Sequence, residues 1–360
     1  INAYTSRENT AFYAKVLKDD VGLGVDLVSD IMMHATMDPV ELEREKSVIC
    51  QEIHQAHDTP DDIVFDLFQE AAYPDQAIGR PVLGTENIIR TLNRDDVNAY
   101  RQQSYTAPQS LFCAAGKVDH DHLVELISET FAPLPKQAGN GREQAAYKGG
   151  DIRLERDLEQ VHIVLGLDGV GYRDDDFYAA SVLSTVFGGG MSSRLFQEVR
   201  EKRGICYSIY AFHWGFSDTG IFGIHAATEP GDLEELVHLI LKELRRAAAD
   251  IDTPELNRAR AQFRASLLMS GESAPSRAGQ IARQILLFGR PIPNEELLDR
   301  LDKLTVERLR DLAGRLFTSS TPTVSAIGPV DQLMDIDTIR SELASGGAES
   351  QRANARFAVG

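Results

Sequence analysis

The chain has 360 residues, 42% of them hydrophobic and 26% charged, a balance that excludes wholesale disorder and leaves room for two ordinary domains. Acidic residues outnumber basic ones 55 to 37, for a net charge of −18, and such a field repels phosphate backbones, so nucleic acid is not an expected partner. Three cysteines (Cys50, Cys113, Cys206) are too few for a disulfide framework, no apolar run reaches the roughly 18 residues of a membrane span, and the opening INAYTSREN lacks the charged and apolar parts of a signal peptide. No membrane partner is expected, and the location expected is cytoplasmic.

The first expected element is a strand over 10–17, rich in β-branched and aromatic residues. A helix over about 20–34 follows, with apolar residues at i, i+3 and i+4. A second helix opens at Pro39 and runs to about 57, since proline is tolerated in a first helical turn. A helix over 94–104 and a strand over 110–115, ending in Ala-Ala-Gly, complete this half. The stretch 133–151, rich in Pro, Gly and polar residues, reads as a linker. Beyond it come a strand in LEQVHIVLGLDGV and a helix in DDDFYAASVLSTVFGGG. Then a strand over 219–227, helices over 231–249, 254–270 and 305–317, and a strand over 322–327 repeat the first half's order. The small polar residues 345–360 read as a tail.

The repetition extends to residue types. Gly79-Arg80-Pro81 matches Gly289-Arg290-Pro291 at an offset of 210, Gly116 and Asp119 match Gly328 and Asp331 at 212, and Pro39 matches Pro254 at 215. Drift of a few residues is what small loop insertions produce. The chain is therefore expected to hold one α+β domain used twice, over 1–132 and 152–344. The strand and helix that open the second copy have no counterparts after Ile1 at this offset. The sequence is accordingly expected to be a fragment of a longer chain.

Candidate chemistry begins on the helix after Pro39. Glu45 and Glu52 are two turns apart and share a face, with Val48, Ile49 and Ile53 sharing or flanking it, which places both carboxylates at an expected core boundary. Their counterparts in the second copy are Arg260 and Leu267; the fold itself does not demand carboxylates there. His54 and His57, with Asp58, have ligand-like spacing but read better as surface residues. The other histidines, at 34, 120, 122, 162, 213, 225 and 238, form no metal-spaced set. FGGGM (187–191) lacks the spacing of a dinucleotide loop. In the second copy Arg200 and Tyr207 are seven apart, with Gly204 expected to end a helix between them. Converging, they could stabilise an oxyanion; the plainer reading is a basic helix end.

INAYTSRENTAFYAKVL, ELEREKSVICQEI, GRPVLGT and GGGMSSRLFQEVREKRGICYS resemble the M16 metallopeptidases of the pitrilysin/insulinase superfamily, especially bacterial relatives of the mitochondrial processing peptidase beta subunit. The resemblance implies two homologous α/β-sandwich domains, each a mixed and largely antiparallel sheet with helices on one face. It implies a clamshell around an extended peptide that is cut with zinc. In that family an inverted His-x-x-Glu-His motif supplies two zinc ligands and the general base, and a downstream Glu is the third ligand. By this likeness Glu52 is the zinc ligand and Glu45 its supporting acid. Arg200 and Tyr207 act on the substrate, and Asn2 and Ala3 form an edge strand that pairs with the peptide. No His-x-x-Glu-His occurs in these residues, so the zinc site is expected to be incomplete and the chain inactive as it stands.

The expectation is a zinc endopeptidase acting on peptides or protein presegments, as a homodimer or an M16 heterodimer. The alternatives are a non-catalytic partner subunit, against which Glu45 and Glu52 argue, and a metal-free acidic peptide clamp.

Overall fold

The structure, a computed structural model, describes residues 1–137, 139, 141–319 and 321–345; apart from residue 345, the expected tail lies outside them. In chain order the elements are β1 (Asn2–Thr5), β2 (Thr10–Tyr13), α1 (Val21–His34), α2 (Pro39–Asp58), α3 (Pro60–Ala72), α4 (Glu86–Thr91), α5 (Arg94–Ser104) and α6 (His120–Thr130). There follow β3 (Gly150–Glu155), β4 (Val161–Asp168), α7 (Phe177–Gly188), β5 (Cys206–Gly215), β6 (Gly220–Thr228), α8 (Leu233–Asp250), α9 (Thr253–Ser270), α10 (Ala274–Phe288), α11 (Asn294–Asp302), α12 (Val306–Ser319) and β7 (Thr323–Gly328). A π-helical turn, Phe196–Glu201, lies between α7 and β5. The class is α+β, as expected. No helix among the described residues is long and apolar enough to cross a membrane.

Two compact units form. One comprises Ile1–Gln55, Pro81–Glu143 and Leu268–Ile292; the other comprises Ala56–Arg80, Gln144–Leu267 and the chain from Pro293 onward. Relative to the ranges 1–132 and 152–344, α3 belongs to the later unit and α10 to the earlier.

The later unit is built on a five-stranded sheet of order β3-β7-β4-β6-β5, in which only β3 and β7 run parallel. Alternation divides its side chains between two faces. Ile163, Leu165, Leu167, Phe222, Ile224 and Ala226 join one core, built with α7, α8 and α12. Val164, Ile221 and Ile327 join another with Ile63, Val64, Phe68 and Tyr73, contributed by α3 and its C-terminal neighbour. Both faces are thus covered, and every residue of β6 is buried. α3 owes its place to its sequence. Pro60 opens it, Asp61 and Asp62 suit the positive end of the helix dipole, and Ile63, Val64, Phe68, Ala71 and Ala72 make its buried stripe. The sheet makes room for it with paired glycines: Gly166 lies opposite Gly223, and an added Cβ at Gly166 would overlap the Phe68 ring.

The earlier unit holds the hairpin β1–β2, with Asn2 opposite Tyr13 and Ala3 opposite Phe12. At the offset of 210 this hairpin corresponds to β5–β6, as the duplication requires. α2 buries Cys50 and Ile53 against Ile89 of α4. α5 starts at a capping box, in which Asn93 accepts from the Asp95 and Asp96 amides and the Asp96 side chain accepts from the Asn93 amide. Two expected strands are corrected. β2 stops at Tyr13 rather than Leu17, and residues 110–115 form no strand. A strand exists by pairing: β7, the counterpart of 110–115, sits between β3 and β4, and residues 110–115 have no such neighbours among the described residues.

Candidate active-site residues

Glu45 and Glu52 lie on α2, and both are exposed. This corrects the expectation of a core-boundary position. The buried stripe of α2 is Cys50 and Ile53, and Val48, between the two carboxylates, is itself exposed. Neighbouring acids on the helix have cations: Arg44 pairs with Glu41 at 2.6 Å and Lys46 with Glu43 at 2.8 Å. Glu45 and Glu52 have no ion-pair partner among the described residues. Their face is a free pair of carboxylates two turns apart. At the matching position in the second repeat, Arg260 donates to the carbonyls of Leu301 and Asp302, each at 3.1 Å, and to that of Leu304. There the side chain closes the end of α11, a structural task that the first repeat does not set for Glu45.

His54 is a surface residue, as expected, with its Nε2 3.1 Å from the Glu86 carboxylate. Arg90 first, and His54 second, hold the Glu86 carboxyl below the usual range. Asn2 and Ala3 lie on the exposed strand β1. The Asn2 carboxamide oxygen accepts from the Ala3 amide at 2.8 Å, so a peptide approaching that amide must displace a side-chain cap.

Arg200 and Tyr207 do come together. Arg200 belongs to the π-helical turn, and its guanidinium carbon lies 4.6 Å from the Phe196 ring centroid and 5.1 Å from that of Tyr207. Cation–π contact orients the guanidinium without consuming its N–H donors. Gly204, with φ +70°, reverses the chain between them, its amide donating to the Arg200 carbonyl at 2.9 Å. Tyr207 sits where the register of β5 slips between Cys206 and Ser208. This β-bulge turns its side chain outward, and Tyr207 is 76% exposed. Among the described residues no carboxylate pairs with Arg200. The two side chains therefore present an unneutralised cation and a hydroxyl side by side, suited to a carbonyl oxygen or an anion.

The loop before this turn is fixed by Arg194. Its guanidinium forks onto the Glu255 carboxylate at 2.6 and 2.7 Å and reaches Asp250 at 2.6 Å. Two of the glycines of FGGGM serve close packing: a Cβ on Gly188 would overlap the backbone amide of Ala211 on β5, and one on Gly189 would overlap Thr185.

The sequence reading missed one constellation. His162, His225 and Asp61 gather in the later unit, although nothing in their spacing along the chain signals it.

The insulinase (peptidase family M16) profile matches residues 1–86, and that of the peptidase M16 inactive domain matches residues 91–263. A Rickettsia bellii protein described as an uncharacterized zinc protease is 34% identical over 329 residues, which cover 91% of this chain and 80% of that protein. The chain belongs to the M16 peptidase family. Another relative, the mitochondrial-processing peptidase subunit beta of Blastocladiella emersonii, is 33% identical over 354 residues, 95% of this M16 chain and 76% of that subunit. A chain of complex III from Candida albicans shares the fold, with a TM-score of 0.85 at 22% identity over 95% of this chain and 85% of that one.

M16 relatives named zinc proteases imply zinc. The residues of the earlier unit do not by themselves fit it. Zinc takes three or four convergent ligands, and the one group of three potential ligands among the described residues does not include Glu52.

Proposed function

We propose that the protein containing this chain is a zinc-dependent endopeptidase of the processing type, acting on extended peptides or protein presegments. The observation that carries this is the free carboxylate pair Glu45 and Glu52, kept on one exposed face of α2 where the second repeat has Arg260 and Leu267. In this reading Glu52 is one zinc ligand and Glu45 supports the site, while the remaining ligands and the base come from a segment ahead of Ile1. Zinc, when bound, would polarise a peptide carbonyl and activate water. The residues of this chain bind and orient. Arg200 and Tyr207 donate to a substrate carbonyl oxygen, and the outer edge of β1 at Asn2 and Ala3 pairs with the peptide backbone once the Asn2 side chain swings away.

That the chain is a fragment has its own support. Leu23, Leu27 and Ile31, at helical spacing on α1, are all exposed, as are Val40 and Val48 on α2. Exposed apolar residues at such spacing are what a further covering segment would bury. We further propose that the protein works as an M16 pair, a homodimer or a heterodimer, because relatives include a processing-peptidase subunit and a complex III chain. The proposed domain division remains 1–132 and 152–344, joined by 133–151.

The test uses the longer protein, with its upstream segment. Glu52→Gln should remove the zinc held at this site and at least 10–100-fold of the peptide-cleaving activity, the scale seen even for outer partners of zinc ligands. Unchanged zinc content and activity in Glu52→Gln would overturn the assignment.

A further inference from the structure

The later unit contains a set of side chains that none of the above uses. β4 and β6 are antiparallel neighbours, with His162 opposite Ala227 and Val164 opposite His225. His162 and His225 are therefore diagonal neighbours on the face of the sheet that α3 covers. Asp61, in the first turn of α3, lies against both. Its Oδ1 is 2.9 Å from His162 Nδ1 and 3.6 Å from His225 Nε2, and one ligand atom of each of the three lies within 4.8 Å of the others.

His225 is the anomaly. Its side chain is only 3% exposed, yet neither ring nitrogen has a hydrogen-bond partner. An imidazole always carries a donor, an acceptor or both, and leaving a buried one unmet costs about 1–3 kcal/mol. The ring cannot turn readily to water: it stacks on Phe65, with centroids 5.4 Å apart, and packs against Tyr210 at 5.0 Å. Tight packing thus holds an unsatisfied nitrogen toward a carboxylate and a second imidazole.

We propose that Asp61, His162 and His225 form a binding site for a divalent transition metal of the zinc class. Two ligand atoms about 2.0–2.1 Å from a tetrahedral zinc lie about 3.3 Å apart, and the two contacts of Asp61, at 2.9 and 3.6 Å, bracket that value. The His162 ring, less buried than His225 and already in contact with Asp61, would close the third side. Two imidazoles and one carboxylate suit zinc and its neighbours rather than calcium or magnesium, which take oxygen ligands. The Asp61 side chain is 64% exposed, which leaves the fourth position open to water. Bound metal would satisfy the orphaned nitrogen and clip the start of α3 to the sheet. The site shares no residue with Glu45 and Glu52.

The experiment is a titration of this 360-residue chain with cobalt(II), read by visible absorption, then displacement by zinc. One equivalent of cobalt should bind with the intense absorption of four-coordinate histidine ligation, and zinc should raise the thermal midpoint. Asp61→Asn and His162→Gln, both at partly or largely exposed positions, should each weaken binding at least 10–100-fold. His225→Gln should abolish it, and circular dichroism of all three reports folding. Glu52→Gln should leave this binding unchanged, which separates the site from the peptidase reading. Absence of cobalt absorption in the wild-type chain, or binding indifferent to both Asp61→Asn and His162→Gln, would overturn the proposal.

Discussion

At the scale of single residues, the proposed substrate contacts rest on side chains held in place by irregular backbone. Arg200 stands on a π-helical turn and Tyr207 on a β-bulge, two interruptions that re-aim side chains and recur at functional positions. Their spacing of seven was legible in the sequence; their convergence was not, because neither a π-turn nor a bulge has a reliable sequence signal. In the longer protein, Arg200→Ala should lower kcat by about 10²–10³-fold, the usual cost of losing an oxyanion donor. Tyr207→Phe should lower it less, with circular dichroism unchanged in both. Normal turnover by Arg200→Ala would remove it from the chemistry. A second residue-scale effect concerns His213, partly buried with its Nε2 2.9 Å from the Val170 carbonyl and its Nδ1 3.1 Å from the Ser181 hydroxyl. Burial, more than any other influence, pushes its pKa below the ordinary 6.5. Above that value both folded and unfolded states are uncharged at this ring. As pH falls below it the unfolded chain takes the proton first, so stability is lost toward acid. Urea midpoints at about pH 7.5 and about pH 5.5 should show a drop that His213→Gln reduces; an identical drop in the variant would contradict this.

At the scale of elements, the helix periodicities were the most readable feature. The expected helices over 20–34, 39–57, 94–104, 231–249, 254–270 and 305–317 correspond to α1, α2, α5, α8, α9 and α12 with shifts of one or two residues at most ends. Periodicity could not say which sheet a helix covers. α3 has an ordinary apolar stripe, and only the sheet shows its use, in the slot that Gly166 and Gly223 leave for the Phe68 and Phe212 rings. Gly166→Val should therefore destabilise the later unit by about 1–3 kcal/mol through overpacking, measured by urea unfolding. Gly231→Ala, with open space around it, should be nearly neutral. Equal stability of the two variants would mean that α3 is not seated as described. The constellation of Asp61, His162 and His225 was illegible for the same reason: register on two strands and the docking of one helix create it, and the chain distances between its members carry no trace of it.

At the scale of the whole molecule, the duplication was the strongest message of the sequence. It anticipated that the strands β2 and β6 would be equivalent; the equivalence of the hairpins β1–β2 and β5–β6 at the same offset emerges only from their pairing. It did not anticipate that the third helix of each copy, α3 and α10, would pack in the other copy's compact unit. An offset aligns residues with residues but is blind to which sheet face lacks a cover. The same duplication isolates the chemistry, because a carboxylate that its own repeat replaces with Arg260 or Leu267 is there for another reason. The most direct measurement of that claim compares cleavage of a presequence-like peptide by this 360-residue chain and by the longer protein, each with and without a zinc chelator. Chelator-sensitive cleavage by the longer protein alone is expected. Comparable chelator-sensitive cleavage by the 360-residue chain would contradict it.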